Sequence, residues 1–372
     1  MQKNWISLGL MSGTSGDGVD ASVIKTNGTN KYELIEDKYF EYDSGIYKDI
    51  HNLKEKINKI EDLNIFSKEL DNLEKKITIF HAKLIKELNI SNETIVGFHG
   101  QTIYHNPKEK ISRQLGNGKL LNQLINKRVV FNFRNNDILN GGQGAPLTPV
   151  FHFLLSIQNN ITIPVCFLNI GGISNITIVK DKESLSELTS KDLGPGNCLI
   201  DSWVRKNSNE KFDKEGYFAS SGKINQIIYE QAQELYMNSS SKKKLSFDTN
   251  DFDISFARGL TLEDGAATLT DFTASIIGQE LSVCLKNCKE KIQDVLVCGG
   301  GRKNKILIQR IKEKLPLNTN LKLIDEYKID GDFIESQAFA YLAIRVVLRL
   351  PISFPGTTLC KTPCIGGELI EN

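Results

Sequence analysis

Residues 8–24 read LGLMSGTSGDGVDASVI, and residues 167–179 read FLNIGGISNITIV. Each is an apolar run of β-forming residues, a glycine turn and a second such run. Two copies of one strand-turn-strand unit, each heading one half of the chain, predict a duplicated α/β domain.

Around the first copy, Trp5 to Met11, Val19 to Thr26 and Tyr32 to Tyr42 are β-rich runs separated by Gly/Ser/Asp turns, which predicts an antiparallel meander. From about Ile46 to Leu88 apolar residues recur at helical spacing, through Leu53, Ile57, Leu70, Leu73, Ile77 and Leu84, so amphipathic helices cover one face of that sheet. Short buried strands are expected at Thr94 to Phe98, ending in His99-Gly100-Gln101, and at Arg128 to Phe133, followed by Gly141 to Pro146. Around the second copy, Asp264 to Ile292 reads as a long helix, Asp294 to Cys298 as a strand, and Ser336 to Leu350 as a last apolar helix. The segment Ser239 to Asp253, with its SSSKKK run, reads as a surface excursion rather than a phosphate site.

The 372 residues exceed one ordinary domain and suit two. Boundaries are expected at 1–128 for an N-terminal lobe, to which the tail at about 350–372 returns, and 129–349 for a C-terminal lobe. Lysine and arginine number 46 against 45 acidic residues, so no global field exists to hold a nucleic acid or a membrane surface. No stretch approaches the ~20 apolar residues that span a bilayer, and the N-terminus lacks a signal-peptide core, which predicts a cytoplasmic protein. Seven cysteines, an odd number in apolar surroundings, predict reduced thiols rather than a disulfide framework. The pairs Cys284/Cys288 and Cys360/Cys364 lack partners at metal-ligand spacing.

The turn from Gly9 to Asp20 packs four glycines, three hydroxyls and two carboxylates into twelve residues. Such a loop brings N–H groups and hydroxyls close to phosphate oxygens, with Asp17 or Asp20 placed to hold Mg²⁺ directly or through water. It is no Walker A loop, because Gly-Lys-Ser/Thr is missing and a strand follows. Gly299-Gly300-Gly301 closes a strand and opens a helix; without Cβ atoms such a turn admits a flat base or ribose. Asp192 precedes a Gly-Pro-Gly turn, where it is equally a turn residue or the carboxylate that a kinase aims at its nucleophile. His99, Gln101, Arg134, Asp137 and Gln143 are polar groups at expected strand ends, suited as a set to a polyol or amino sugar. Arg134 among them can bind a carboxylate bidentately.

In order, the runs GLMSGTSGDGVD, GFHGQT, QLGNG, NFRNND with GGQGAP, LNIGGISNIT, DLGPGN, DGAATLTDFTA and CGGGRKN resemble the serial motifs of the anhydro-N-acetylmuramic acid kinase family. ESQAFAYL at 335–342 is similar to its late helix, and Gly366-Gly367 to its ending. The resemblance implies an α/β, two-lobed actin-like fold (a duplicated ribonuclease H-like unit) with the active site in the interlobe cleft, and ATP with Mg²⁺. It also implies a double reaction in peptidoglycan recycling, in which the 1,6-anhydro bond of the sugar is opened by water and O6 takes the γ-phosphoryl group. On that resemblance Gly13, Thr14, Ser15, Gly16, Asp17, Gly18, Val19 and Asp20 bind ATP and Asp192 activates water. Arg134 and Glu335 fall in the sugar site, Arg134 toward the lactyl carboxylate. With the readings above, Gly171, Gly172, Gly299, Gly300 and Gly301 complete the ATP set, and His99, Gln101 and Gln143 complete the sugar set. Gly16 stands where the family commonly has leucine, Asn117 and Asn132 where it has aspartate, and Leu193 where it has threonine; the two missing carboxylates bear on substrate contacts or metal affinity. A kinase of the same fold for another amino sugar, or an ATP-binding regulator without catalysis, are the competing readings. No partner beyond a small-molecule sugar is implied, and the oligomeric state is left open, with a homodimer among the options.

Overall fold

The structure is a computed structural model and describes residues 3–238 and 246–371. The SSSKKK run therefore lies outside the described residues. The chain divides into two compact units, one comprising Met1–Ile161, Lys182–Thr189 and Phe333–Asn372, the other Thr162–Asp181 and Ser190–Asp332.

The first unit is built on β1 (Trp5–Ser12), β2 (Gly18–Thr26), β3 (Tyr32–Glu41), β4 (Ile95–Asn106), β5 (Ile111–Leu115) and β6 (Val129–Phe131), closed by the C-terminal strand Glu368–Ile370. β1, β2 and β3 form the antiparallel meander expected from their turn residues, while β4 runs parallel to β1 and β6 parallel to β4. The C-terminal strand pairs antiparallel with β6, Leu369 opposite Val130. This pairing corrects the expected lobe boundary at residue 128: β6 is an interior strand of the first sheet, and everything to Ile161 stays with it.

The helix Ile334–Val347, expected in the second lobe, also belongs here. It is buried almost all round and lies on β1, β2 and β4. Gly9 and Gly97 are direct neighbours in the β1–β4 register and make this approach feasible. A Cβ on Gly9 would stand 1.9 Å from the Ser336 carbonyl oxygen, and one on Gly97 2.4 Å from that of Phe339. Missing side chains thus form the trough in which the helix sits. Two of its polar side chains are tied to the sheet: Ser336 Oγ lies 2.6 Å from Ser22 Oγ, and the Gln337 amide nitrogen donates to Asp37 at 2.9 Å. The amphipathic helices Ser44–Lys56 and Ser67–Glu87 bury Ile46, Ile50, Leu53, Leu70, Leu73 and Ile77 in a common core with Leu8, Leu10 and Phe98.

The second unit carries β7 (Val165–Ile170), β8 (Ile173–Val179), β9 (Thr189–Pro195), β10 (Asp294–Cys298) and β11 (Asn320–Leu323), in the order β11-β10-β7-β8-β9. β7 and β8 are antiparallel, and β10 is parallel to both β7 and β11. Counted in its own strands this is 3-2-1-4-5, and the first sheet repeats it with β6 in the fifth place. The same strand order, with an antiparallel first pair extended on its other side by the same parallel strands, twice in one chain, is the duplicated ribonuclease H-like arrangement of the actin-like fold. The long helix Leu262–Asn287, capped by the Thr261 hydroxyl on the Asp264 amide, supplies much of the second core through Ala266, Leu269, Phe272, Ile276 and Ile277.

Candidate active site

The turn between β1 and β2 is a β-turn over Gly13–Gly16, closed by the Gly16 amide on the Gly13 carbonyl at 3.2 Å. Gly16 has φ +65°, and a Cβ there would stand 2.9 Å from Ile50 Cγ2, so the glycine that departs from the family pattern is matched to its own backbone and neighbour. The Ser15 hydroxyl donates to Asp17 Oδ1 at 2.5 Å. Asp17 and Asp20 share a neighbourhood: burial first, then the carboxylates of Asp17, Glu41 and Asp20, hold the Tyr39 phenol far above its ordinary range. Gly18 is fixed by packing, since a Cβ there would meet the Phe40 carbonyl oxygen at 2.5 Å. Val19 is buried in β2 and serves the core rather than a ligand.

β4 does not stop at Phe98. It continues to Asn106, with an irregularity at Ser12/Gln101 where pairing passes from β1 to β5. His99 and Gln101 are therefore inside a strand, not on a loop. Gln101 is completely buried and its amide nitrogen donates to the Gly13 carbonyl at 2.9 Å, which attaches it to the β1–β2 turn rather than to an open sugar pocket. His99 is buried too, with Nδ1 bonded to the Gly100 carbonyl at 2.7 Å and Nε2 receiving Nε and Nη2 of Arg134 at 3.1 and 2.9 Å. Burial, and then the adjacent Arg134 charge, drive the His99 pKa well below its ordinary value. The neutral ring is the form that accepts from a guanidinium. Arg134 also donates to the Gly144 carbonyl at 2.7 Å, so it is held between β4 and the glycine loop.

Asp137 is fully buried and receives the Gly144 amide at 2.7 Å and the hydroxyls of Ser353 and Thr358 at 2.5 and 2.6 Å. It organises the Gly141–Pro146 loop and has no face for a ligand, a correction of its sequence reading. Gln143 is half-buried in that loop; its backbone amide donates to the Thr358 carbonyl at 2.7 Å, and its side-chain amide has no hydrogen-bond partner among the described residues. Glu335 is half-buried in the first turn of the helix Ile334–Val347.

In the second unit two glycine turns are bonded together. The amides of Gly196 and Cys198 donate to the Gly172 carbonyl at 2.9 and 3.2 Å, and that of Asn197 to Gly171 at 2.8 Å. The Ser174 hydroxyl reaches the Gly194 and Pro195 carbonyls at 3.1 Å each. A Cβ on Gly196 would stand 2.3 Å from the Gly171 carbonyl oxygen, whereas one on Gly171 would meet nothing closer than 3.6 Å. Asp192 is on β9 itself, the strand that leads into this doubled turn, buried, with Oδ2 receiving the Phe247 amide at 3.0 Å.

The triple glycine divides by role. Gly299 has φ +78°, and a Cβ there would meet Asn169 Oδ1 at 2.4 Å; one on Gly301 would meet Ile170 Cγ2 at 2.3 Å. Both exist so that this turn can close on the end of β7. A Cβ on Gly300 meets nothing within 4 Å, so it alone faces open space. The turn is anchored by buried Arg302, whose guanidinium bonds Asp325 at 2.8 and 3.0 Å, Asp330 at 3.0 Å and also Asp332.

The structure thus brings Gln101 to Gly13, His99 to Arg134, and Gly171-Gly172 to the turn after Asp192. Sequence reasoning missed Lys54, whose Nζ donates to the Thr14 carbonyl at 2.6 Å, because nothing distinguishes it from the other charges on its helix. Arg302 was legible only as the residue after the glycines. The two asparagines that replace common aspartates have local work: Asn117 caps the helix Gly118–Ile125 through the Leu120 amide, and Asn132 has φ +55°, tolerated better by asparagine than by most residues. All seven cysteines are free, and among the described residues no helix is long and apolar enough to cross a membrane.

The family model described as anhydro-N-acetylmuramic acid kinase matches residues 5–371. A protein of that name from Pelagibacter ubique (strain HTCC1062) is 56% identical over 376 residues, covering 100% of both chains, and one from Agrobacterium fabrum (strain C58 / ATCC 33970) is 34% identical over 375 residues, covering 98% of each. Among solved structures, the activator of the 2-hydroxyisocaproyl-CoA dehydratase from Clostridium difficile, with bound ADPNP, aligns over 92% of this chain and 96% of its own at 11% identity and a TM-score of 0.41, too slight a likeness to add to the assignment. With its serial motifs at the glycine turns and strand ends just described, and a match over nearly its whole length, this chain belongs to the anhydro-N-acetylmuramic acid kinase family.

Proposed function

We propose that this protein is a cytoplasmic, ATP-dependent kinase that opens the 1,6-anhydro ring of anhydro-N-acetylmuramic acid with water and phosphorylates O6, giving N-acetylmuramic acid 6-phosphate and ADP. The observation that carries this reading is the placement of Asp192, buried on β9, the strand that runs on to Pro195 and directly into the Gly196-Asn197 turn bonded to Gly171-Gly172. A carboxylate oriented by the Phe247 amide beside a glycine turn suits a base at a phosphoryl-transfer site.

In this mechanism Asp192 takes a proton from water as the water oxygen bonds to C1 and the C1–O6 bond breaks. O6 leaves with the electron pair and bonds to the γ-phosphorus, whose bond to the bridging oxygen breaks to release ADP. One base serves both bond changes, because O6 becomes nucleophilic only as it departs from C1. Thr14 and Ser15 are the phosphate-binding residues of the first unit; in the second, the Gly171-Gly172 turn takes the corresponding role and Gly300 faces the adenosine. Arg134, fixed by neutral His99 and Gly144, receives the lactyl carboxylate, while Gln143 and Glu335 bind sugar oxygens.

Asp17 and Asp20 fit Mg²⁺: they are hard oxygen donors beside the phosphate turn, and among the described residues no group of three or more His, Cys, Asp or Glu forms a complete cage. A two-carboxylate set matches an ion that keeps several waters and shares phosphate oxygens. When bound it neutralises phosphate charge during transfer.

The test is mass spectrometry of an anhydro-N-acetylmuramic acid and ATP mixture. The product must gain one phosphate and one water, with ATP consumed only when sugar is present. Consumption without sugar, or gain of phosphate alone, contradicts the reading.

A further inference from the structure

Two consecutive carbonyls of the β1–β2 turn are held by side chains from elements distant in sequence. The Gln101 amide nitrogen, on β4, donates to the Gly13 carbonyl at 2.9 Å, and Lys54 Nζ, from the helix Ser44–Lys56, donates to the Thr14 carbonyl at 2.6 Å. A trans peptide is planar, with its N–H pointing opposite to its C=O. Fixing the Gly13 oxygen therefore aims the Thr14 N–H the other way, and fixing the Thr14 oxygen does the same for the Ser15 N–H. Neither N–H has an acceptor among the described residues.

The two anchors come from different settings, one buried and the other making its bond where solvent has access. Gln101 is completely buried in β4. Lys54 follows Leu53, which is buried in the core, on a helix whose first turn is capped by the Asp43 carboxylate on the Gly45 and Ile46 amides at 2.9 Å each. We infer that Gln101 and Lys54 are positioning residues that hold the Thr14 and Ser15 N–H groups ready as a paired donor for nucleotide phosphate. This rests on the reading of the β1–β2 turn as a phosphate site. It assigns Gln101 to the nucleotide rather than the sugar, and gives Lys54 a role absent from its sequence context.

Preorganised backbone donors cost no rearrangement on binding, and releasing either peptide gives up about one hydrogen bond's worth of aim. The experiment is calorimetric titration of the full-length protein with MgATP and with adenosine, on Gln101→Met, Lys54→Met, Lys54→Arg and Thr14→Pro. Melting curves accompany each variant. Thr14→Pro deletes one donor at the second position of the turn, where proline is favoured. The inference predicts that Gln101→Met and Lys54→Met each weaken MgATP about fivefold or more, leave adenosine within about twofold, and that Lys54→Arg restores binding. Gln101 is uncharged, so its loss separates peptide positioning from charge attraction. If Thr14→Pro weakens MgATP while neither methionine variant does, the inference is wrong and the phosphate reading stands. Equal weakening of MgATP and adenosine also overturns it. If Thr14→Pro leaves MgATP unchanged, the phosphate reading itself fails and the inference with it. Should Gln101→Met melt early, the Lys54 pair decides alone.

Discussion

Nε and Nη2 of Arg134 converge on one acceptor, Nε2 of His99, at 3.1 and 2.9 Å. Only a neutral imidazole with its proton on Nδ1, bonded to the Gly100 carbonyl, can receive them. The histidine thus orients the arginine without competing for its charge. If Arg134 binds the lactyl carboxylate, Arg134→Ala should raise KM for the muramyl sugar by roughly 10- to 100-fold, the equivalent of a charged hydrogen bond of ~1.5–3 kcal/mol. KM for an anhydro sugar lacking the carboxylate should change little. His99→Phe keeps the ring but removes the acceptor, so it should show a smaller loss in the same direction. Paired KM measurements on the two sugars check both, and equal losses would refute the role.

Three buried histidines, with the half-buried His105, predict a one-sided pH profile of stability. Burial lowers His81 to about 4, His105 and His152 to about 3, and His99 well below its ordinary value. Each is neutral in the folded protein at a pH where the unfolded chain, with histidine near 6.5, already binds a proton. The unfolded state therefore takes up more protons below about pH 6.5, and stability falls as pH drops from there toward 4. Above pH 7 these groups contribute no slope. Urea midpoints from pH 4 to 8 should be flat at the upper end and decline below about 6.5. A maximum near pH 5 would contradict the burial of these rings.

Two glycines should differ in their response to a methyl group. Gly9→Ala places a Cβ against the backbone of the helix Ile334–Val347, which cannot yield like a flexible side chain, and should cost about 1–3 kcal/mol or more in denaturant unfolding. Gly300→Ala meets nothing, so unfolding should be unchanged within about 0.5 kcal/mol. If adenosine lies against Gly300, the same variant should raise KM for ATP several-fold. An unchanged KM would move the base away from this turn.

Much of this architecture was legible because glycine turns between β runs are local signals. β1, β2, β7, β8 and β10, and the long helix after Thr261, follow from apolar periodicity and turn chemistry. What was not legible depended on distant partners. β6 reads as a strand from sequence, but its place in the first sheet is decided by pairing with β4 and with Glu368–Ile370, which no local pattern encodes. In sequence β4 reads as ending at Phe98 because His99, Gly100 and Gln101 are polar or flexible, yet the strand continues because those groups find partners in Gly13, Arg134 and β5. Asp137 and Asp192 look alike in sequence, each an aspartate near glycines. Only the three internal donors on Asp137 reveal a structural carboxylate. Gly299 and Gly301 read as ligand contacts, whereas close approach to Asn169 and Ile170 accounts for both.

The central claim is that Asp192 deprotonates the water that opens the anhydro ring, and that ring opening creates the phosphoryl acceptor. Asp192→Asn keeps the shape and the acceptor for the Phe247 amide but cannot take the proton, so kcat should fall roughly 10²- to 10⁴-fold with sugar affinity little changed. Ring opening and phosphorylation should fall together. The most direct measurement is turnover of the unmodified protein in ¹⁸O-water with the label located in the product. The account predicts ¹⁸O on C1 of the sugar and none in the phosphate; label in the phosphate, or unlabelled C1, would contradict it.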